Sequence, residues 1–264
     1  MPPHVLTAIH LYPIKSAAGI AVSQWEVDEF GLRYDRRWMV VDPAGHLITQ
    51  RTHPRLALVR PALADHRLRI EAPGEPALWL SLTPPPAVTT TAEVHGDVCD
   101  AVWLGEEPAR WFSRYLDCPC SLVHMPEETI RPADPAYAPD GARVSFADAF
   151  PFLLLSEESL ADLNTRLAHP VPMNRFRPNL VAGGGGPYWE DALGDFSIGD
   201  IGFTAVKPCA RCVLTTTDQA TAERGPEPLR TLSTYRKRGS GVLLGQNLVH
   251  RALGRLQVGD PLRV

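Results

Sequence analysis

Proline and glycine interrupt this chain so often that long helices have little room to form. There are 26 prolines and 20 glycines in 264 residues, about one residue in six where roughly one in eight is usual. Proline fixes φ and removes a backbone donor, and glycine frees the chain to turn. Such punctuation favours short strands joined by tight turns, and the segments between the turns carry the matching pattern. Residues 5–12 read as a first strand closed by Pro13. Residues 23–30 alternate apolar and polar, with Trp25 and Val27 on one face, as a half-buried strand does. Residues 36–41 and 46–50 flank Asp42-Pro43-Ala44-Gly45 and read as a hairpin. Further strand signals fall at 56–59, 68–71, 77–82 and 98–104, and Pro84-Pro85-Pro86 excludes regular structure between the last two. This first part is expected to be a barrel or a strongly curled sheet.

The period changes at 108–116, where Phe112, Tyr115 and Leu116 share one face and Pro108 suits a first helical position. A strand at 118–124 and a loop rich in Pro, Asp and Ala at 125–142 follow, and the domain boundary is placed there, dividing 1–125 from 126–264. The second part opens with a buried-type strand at 152–155. Ser156 then caps a helix with Glu157 and Glu158 in its first turn and Leu160, Leu163 and Leu167 on its inner face. Residues 174–182 are Arg-rich and then strand-like. Gly183–Gly186 lacks the strand–GxxxxGK[ST]–helix context of a phosphate loop. Strands at 197–206, 243–250 and 256–264 and one short helix around Leu229, Leu232 and Tyr235 complete a β-rich α+β chain.

The formal charge of −4 argues against a broad nucleic-acid binder. No run of about twenty apolar residues offers a membrane span, and the N-terminus has no basic region followed by an apolar one, so no signal peptide is read there. Five cysteines are odd in number and sparse, unlike a disulfide-stapled domain. A cytoplasmic setting is the expectation.

The chemistry concentrates in residues 207–218. Cys209 and Cys212 stand at CxxC spacing with Lys207 and Arg211 beside them, and nearby cations favour the thiolate, the form that ligates metals. The motif alone leaves three readings: two half-buried thiols, half of a zinc site completed by Cys118 and Cys120, or a redox dithiol. The β-branched run after Cys212 reads as a strand, which disfavours the last. Elsewhere, Lys15-Ser16 past a strand end is a plausible anion cradle. Asp35 precedes Arg36-Arg37, and Arg175 and Arg177 share a face if their segment is extended. Arginine suits a bidentate grip on phosphate. A cofactor with both a phosphate and a thiophilic metal would use all of these groups.

With these residues in view, a family resemblance emerges. The blocks Leu11-Tyr12-Pro13-Ile14-Lys15-Ser16, Asp35-Arg36-Arg37-Trp38, Ile48-Thr49-Gln50-Arg51 and Pro151-Phe152-Leu153-Leu154-Leu155-Ser156 carry it in the first part and at the start of the second. Asn174-Arg175-Phe176-Arg177-Pro178-Asn179, Ile198-Gly199-Asp200, Pro208-Cys209-Ala210-Arg211-Cys212, Gly245-Gln246-Asn247 and Val258-Gly259-Asp260 continue it in the same order. The chain resembles MOSC-domain proteins of the molybdenum cofactor sulfurase C-terminal type, and is similar to the mitochondrial amidoxime-reducing component and its bacterial counterparts. The resemblance implies an N-terminal β-barrel-like domain and a MOSC β-barrel with the molybdenum cofactor (molybdopterin) held between them, and no pyridoxal phosphate. It implies that Cys212 is the catalytic molybdenum ligand and Cys209 a non-ligating neighbour. Lys15, Ser16, Arg36 and Arg177 would hold phosphate and pterin, with Thr49, Arg51, Ser156, Asn179 and Tyr235 completing the pocket.

The implied activity is reduction of N-hydroxylated compounds such as amidoximes and hydroxylamino-purines. Many bacterial relatives continue into an iron–sulfur domain, and mitochondrial ones carry a membrane anchor. The expectation is that this chain has neither, with electrons supplied by a separate ferredoxin-like or flavin donor. Two departures bear on the substrate side: Ala17 stands where relatives commonly have Cys, and Glu190-Asp191 is followed by Ala192 and Leu193 rather than by a Trp two residues on. A cofactor carrier, a sulfur-transfer domain using a Cys212 persulfide, and a zinc-stapled module using Cys209 and Cys212 are the alternatives.

Overall fold

Strands from both ends of the chain share one sheet. The computed structural model describes residues 4–84 and 88–264, so Pro85 and Pro86 of the proline run lie outside the described residues. The sheet path runs Leu262–Arg263, Asp195–Ile198, Ile201–Ala210, Gly241–His250, Phe152–Ser156, Leu180–Gly183, Val5–Leu11 and Ile20–Val22, with Lys237–Arg238 beside Gly241–His250. Its one parallel pair is Phe152–Ser156 with Leu180–Gly183, and a parallel pair needs a crossover. Helix α1 (Glu106–Leu116) belongs to the first part, and α2 (Glu157–Thr165) supplies this crossover. The Ser156 hydroxyl caps α2 by accepting from the Ser159 N–H at 3.1 Å. At the far end of the path, Val5 bridges Pro261 and the Leu6 N–H donates to the Asp260 carbonyl at 2.9 Å. The last segment thus meets the first strand, and the sheet curls on itself. Leu6, Ile9, Phe152, Leu180, Phe203 and Leu248 fill the inside, all buried, with the rings of Phe152 and Phe203 packed edge to face at 5.3 Å.

Two register shifts interrupt Ile201–Ala210 where it pairs with Gly241–His250. On the facing strand Gly245 has φ +80°, and a Cβ there would lie 2.7 Å from the Leu154 carbonyl oxygen. Bulges bend a strand and re-aim its side chains. Here one lies just before the CxxC segment and the other at Cys209.

Three smaller sheets accompany the large one. Trp38–Val41, Ser121–His124, Asp97–Trp103 and Thr89–Val94 form one, Gly254–Gln257, Gln24–Asp28 and Gly31–Leu32 the second, and Arg60–Ala64, Arg67–Glu71 and Leu78–Ser81 the third. Helix α1 lays Trp111, Phe112, Tyr115 and Leu116 into the core beneath them, and Asp117 closes it in the left-handed conformation. The third helix, α3, spans Leu229–Tyr235. The β-rich α+β class, with a barrel-like first part and a curled sheet, is the observed one.

Several local expectations give way. Residues 56–59 are not a strand: Pro54 starts a 3₁₀ turn, Pro54–Leu58. The expected second arm of the 42–45 hairpin is not a strand: it makes the Val41–Leu47 bridge, the Asp42 to His46 bond of 2.9 Å and the Ile48 to Val40 bond of 2.8 Å. After Cys212 the chain forms a 3₁₀ turn, Val213–Thr216, instead of a strand. The Thr215 and Thr216 hydroxyls donate to the carbonyls of Cys212 and Val213 at 2.9 and 2.8 Å, local bonds that outbid β-propensity. Likewise Met173–Arg175 is a 3₁₀ turn, so Arg175 and Arg177 do not share an extended face. The strand Arg60–Ala64 was hidden by Pro61, which it tolerates at a sheet edge.

Candidate active site

Three residues of the resemblance adopt a backbone that side chains disfavour. Ser16, Arg36 and Arg177 have φ of 68°, 50° and 54°, and the left-handed region costs a non-glycine residue roughly 1–2 kcal/mol. Such conformations persist where the surroundings over-determine them, commonly at binding sites. All three line one cavity of about 130 Å³ at the end of the large sheet. Lys15 and Ser16 reach it from the turn after the first strand, where the Lys15 N–H donates to the Trp38 carbonyl at 2.8 Å. Thr49, Arg51, Asn179 and Cys212 line it too.

The cavity is strongly cationic. The Lys15 ammonium donates to the Phe146 carbonyl at 2.7 Å and to Asp148 at 2.6 Å. Burial lowers its pKa to about 8, against the pull of Asp148. Arg36 pairs with Asp35 and donates to Asn179 Oδ1 at 2.8 Å. Arg177 donates to the Ala17 carbonyl at 2.5 Å, and burial pulls its guanidinium down to about 10. Both guanidinium groups lie over the Tyr12 ring, at 4.6 and 4.2 Å, and burial pushes the Tyr12 phenol up to about 12.

Desolvation favours neutral Asp148, yet Lys15, His95 and Arg51 together hold its carboxyl well below the usual range. For Arg51, desolvation opposes the charge, but Asp148 and the Cys212 sulfur outweigh it and raise the pKa. Arg211 donates to Cys209 Sγ at 2.9 Å and to the Phe176 carbonyl at 2.6 Å, while its buried Nε has no partner. Among the described lining residues, Lys15, Arg36, Arg51, Arg177 and Arg211 face one carboxylate, Asp148, and the buried Asp35 behind Arg36 supplies a second. Buried like charges without counter-charges are costly. That excess, the orphaned Arg211 Nε and two half-buried thiols together fit an anionic group carrying a thiophilic metal.

Not every expected residue is there. Ser156 is fully buried as the α2 cap, bonded to Ser159 and, through its N–H, to Glu190 Oε1 at 3.2 Å. Tyr235 sits in α3, bonded to the Tyr188 hydroxyl at 2.8 Å with Arg166 over its ring. Neither lines the cavity, because both hydroxyls are bonded within the scaffold, to Ser159 and to Tyr188. Asn179 and Thr49 do line it, but the Asn179 amide is occupied by Arg36, Leu153 and His10, and Thr49 Oγ1 accepts from the Arg51 N–H at 3.2 Å. They position the cations beside them.

Arg175 turns away to Asp218 at 2.9 Å. Glu190 is buried against Ser156 and Ser159, and Asp191 pairs with Arg236, so these acids tie elements together. Ala17, fully buried, contributes its carbonyl to Arg177. Asp148 and Asn247 are lining residues that sequence reading missed. Asp148 has no local motif, whereas Arg211 was visible inside the CxxC. No group of three or more His, Cys, Asp or Glu suited to a metal occurs among the described residues, so Cys118 and Cys120 do not join Cys209 and Cys212 in a zinc cluster. Nor is any helix of the described residues long and apolar enough to cross a membrane.

Comparison with known proteins adds to this geometry. Residues 4–119 match the MOSC N-terminal beta barrel domain, and residues 141–263 match the MOSC domain. Mitochondrial amidoxime-reducing component 1 of Mus musculus is 38% identical over 96% of this chain and 79% of its own length. The Homo sapiens protein of that name is 37% identical over 96% and 80%. Molybdenum cofactor sulfurase of Solanum lycopersicum is 34% identical over 92% of this chain, a stretch equal to 33% of that longer protein.

Proposed function

The chain belongs to the MOSC-domain family, and on that premise we propose that it is a molybdenum-cofactor-dependent reductase of N-hydroxylated compounds, amidoximes and hydroxylamino-purines among them. The observation that carries the reading is the convergence of the Cys212 thiol with Lys15, Arg36 and Arg177 on one cavity. In this reading Cys212 is the molybdenum ligand, and the three cations hold the anionic tail of the pterin. When bound, the cofactor supplies a two-electron centre able to take oxygen from an N–O bond. Arg51 sets a positive charge beside the Cys212 sulfur. Asn179 keeps Arg36 aimed, and Asp148 keeps Lys15 in place. Phe150, Leu153 and Leu214 form apolar wall and exclude water from the reacting bond. Removing the oxygen consumes two electrons and two protons and releases water. The electrons come from a separate ferredoxin-like or flavin donor. The cytoplasmic setting and the division into 1–125 and 126–264 belong to the same proposal.

The test is molybdenum content by elemental analysis on freshly purified protein, with benzamidoxime turnover using an artificial electron donor. One molybdenum per chain and turnover are expected, and both are lost in Cys212→Ala. A Cys212→Ala protein that keeps metal and activity sinks the assignment. The match to molybdenum cofactor sulfurase favours a second reading, a cofactor carrier or sulfur-transfer protein, for which molybdenum without turnover is the signature.

A further inference from the structure

Away from the cavity, the turn after α1 brings a second pair of thiols next to a histidine. The Cys118 sulfur lies 3.5 Å from His53 Nε2. On the other side of the ring, His53 Nδ1 lies 3.0 Å from Thr52 Oγ1. With Nδ1–H donating to that hydroxyl, Nε2 is the lone-pair nitrogen and can accept the thiol proton. Cys118 is part-exposed, whereas Cys120, two residues on, is buried beside the Ser113 hydroxyl at 3.7 Å. One thiol therefore meets solvent with a base against it, and the second waits behind it. Burial pushes the Cys120 thiol up to about 11, so it rests as the thiol. Nothing in the proposed reduction uses either sulfur.

We propose that Cys118, His53 and Cys120 form a hydroperoxide-reactive dithiol site, with Cys118 as the attacking sulfur, His53 as its base and Cys120 as the resolving thiol. His53 Nε2 takes the Cys118 proton. The thiolate attacks the outer oxygen of a hydroperoxide, so an S–O bond forms and the O–O bond breaks. The departing hydroxide or alkoxide takes the proton from His53. Cys120 then attacks the sulfenic sulfur, an S–S bond forms, and the oxygen leaves as water with the Cys120 proton. Two thiols lose two electrons in all, and one hydroperoxide is reduced. Thr52 is a positioning residue, since it touches only the far side of the ring. The site shares a turn with the cavity: the His53 N–H donates to the Thr49 carbonyl at 2.8 Å, and Arg51 lies between them.

The experiment is a timed exposure of the full-length protein to a small excess of hydrogen peroxide, followed by alkylation and peptide mass analysis of all five cysteines. The expected result is loss of two hydrogens from the peptide holding Cys118 and Cys120, well before Cys99 is modified. Cys120→Ser should stop the reaction at a Cys118 sulfenic acid that dimedone captures. His53→Ala should slow Cys118 oxidation by ~10-fold or more, the scale of general-base assistance. Thr52→Val, which removes one surface hydroxyl and leaves the ring, should slow it by a smaller factor. The proposal is overturned if Cys118 oxidises no faster than buried Cys99, if His53→Ala and Thr52→Val leave its rate unchanged, or if oxidation stays at Cys209 and Cys212 with Cys118 and Cys120 reduced.

Discussion

Lys15 offers a direct reading of the cavity's electrostatics, because its charge is enclosed and its neighbours are known. In cofactor-free protein, burial lowers its pKa from 10.5 to about 8, with Asp148 opposing and Arg131 and Arg36 assisting. The unfolded chain therefore holds the proton more tightly than the folded one. Each pKa unit is about 1.4 kcal/mol, so the folded, charged lysine costs about 3 kcal/mol at neutral pH. That cost is present in full below the folded pKa. It fades as pH rises toward the unfolded value, because in that window the unfolded state binds more protons. Stability should thus rise by about 2 kcal/mol from this group between about pH 7.5 and about pH 9.5.

Lys15→Met keeps the bulk and removes the charge. It also strips the Phe146 carbonyl of its donor, a loss of ~1–3 kcal/mol that does not vary with pH. Urea denaturation of cofactor-free wild type and variant at matched pH gives the difference, in which every other titration cancels. The wild-type advantage should climb by about 2 kcal/mol toward alkaline pH, and the climb should vanish once an anionic ligand occupies the cavity. A difference that stays level across the range in cofactor-free protein means that Lys15 is solvated, and the enclosed cationic cavity is refuted.

Arg177→Gln should leave the fold intact but weaken cofactor retention by roughly ten- to a hundredfold, the value of one charge-assisted hydrogen bond, read as molybdenum lost on gel filtration. Gly245→Ala places a Cβ 2.7 Å from the Leu154 carbonyl at φ +80°. It should cost about 3 kcal/mol in strain and overpacking and lower the Tm by roughly 6–12 °C. Ser156→Ala removes the α2 cap and should cost about 1 kcal/mol in urea denaturation while molybdenum content stays at the wild-type level, since Ser156 does not line the cavity. A loss of metal in that variant would return Ser156 to the site.

Spacing and residue type are local properties, and the sequence alone was enough for what depends on them. Proline and glycine density forced short strands, Ser156 with Glu157 and Glu158 announced α2, and the CxxC marked where the two cavity thiols stand. The ordered blocks led to the family and so to Lys15, Arg36, Arg177 and Cys212. Even the turn at Thr215 and Thr216, local though its bonds to the carbonyls three residues back are, was masked by β-propensity. Other features depend on residues far apart in the chain. Asp148 becomes part of the cavity only because Lys15, 133 residues away, needs its carboxylate. Ser156, inside a block of the resemblance, and Tyr235, outside them, both face the scaffold, bonded to Ser159 and Tyr188. Which cation meets which sulfur was decided by the curl of one sheet that joins the first strand to the last, since side chains so distant in sequence gain counter-charges and lose water only when tertiary packing brings them together.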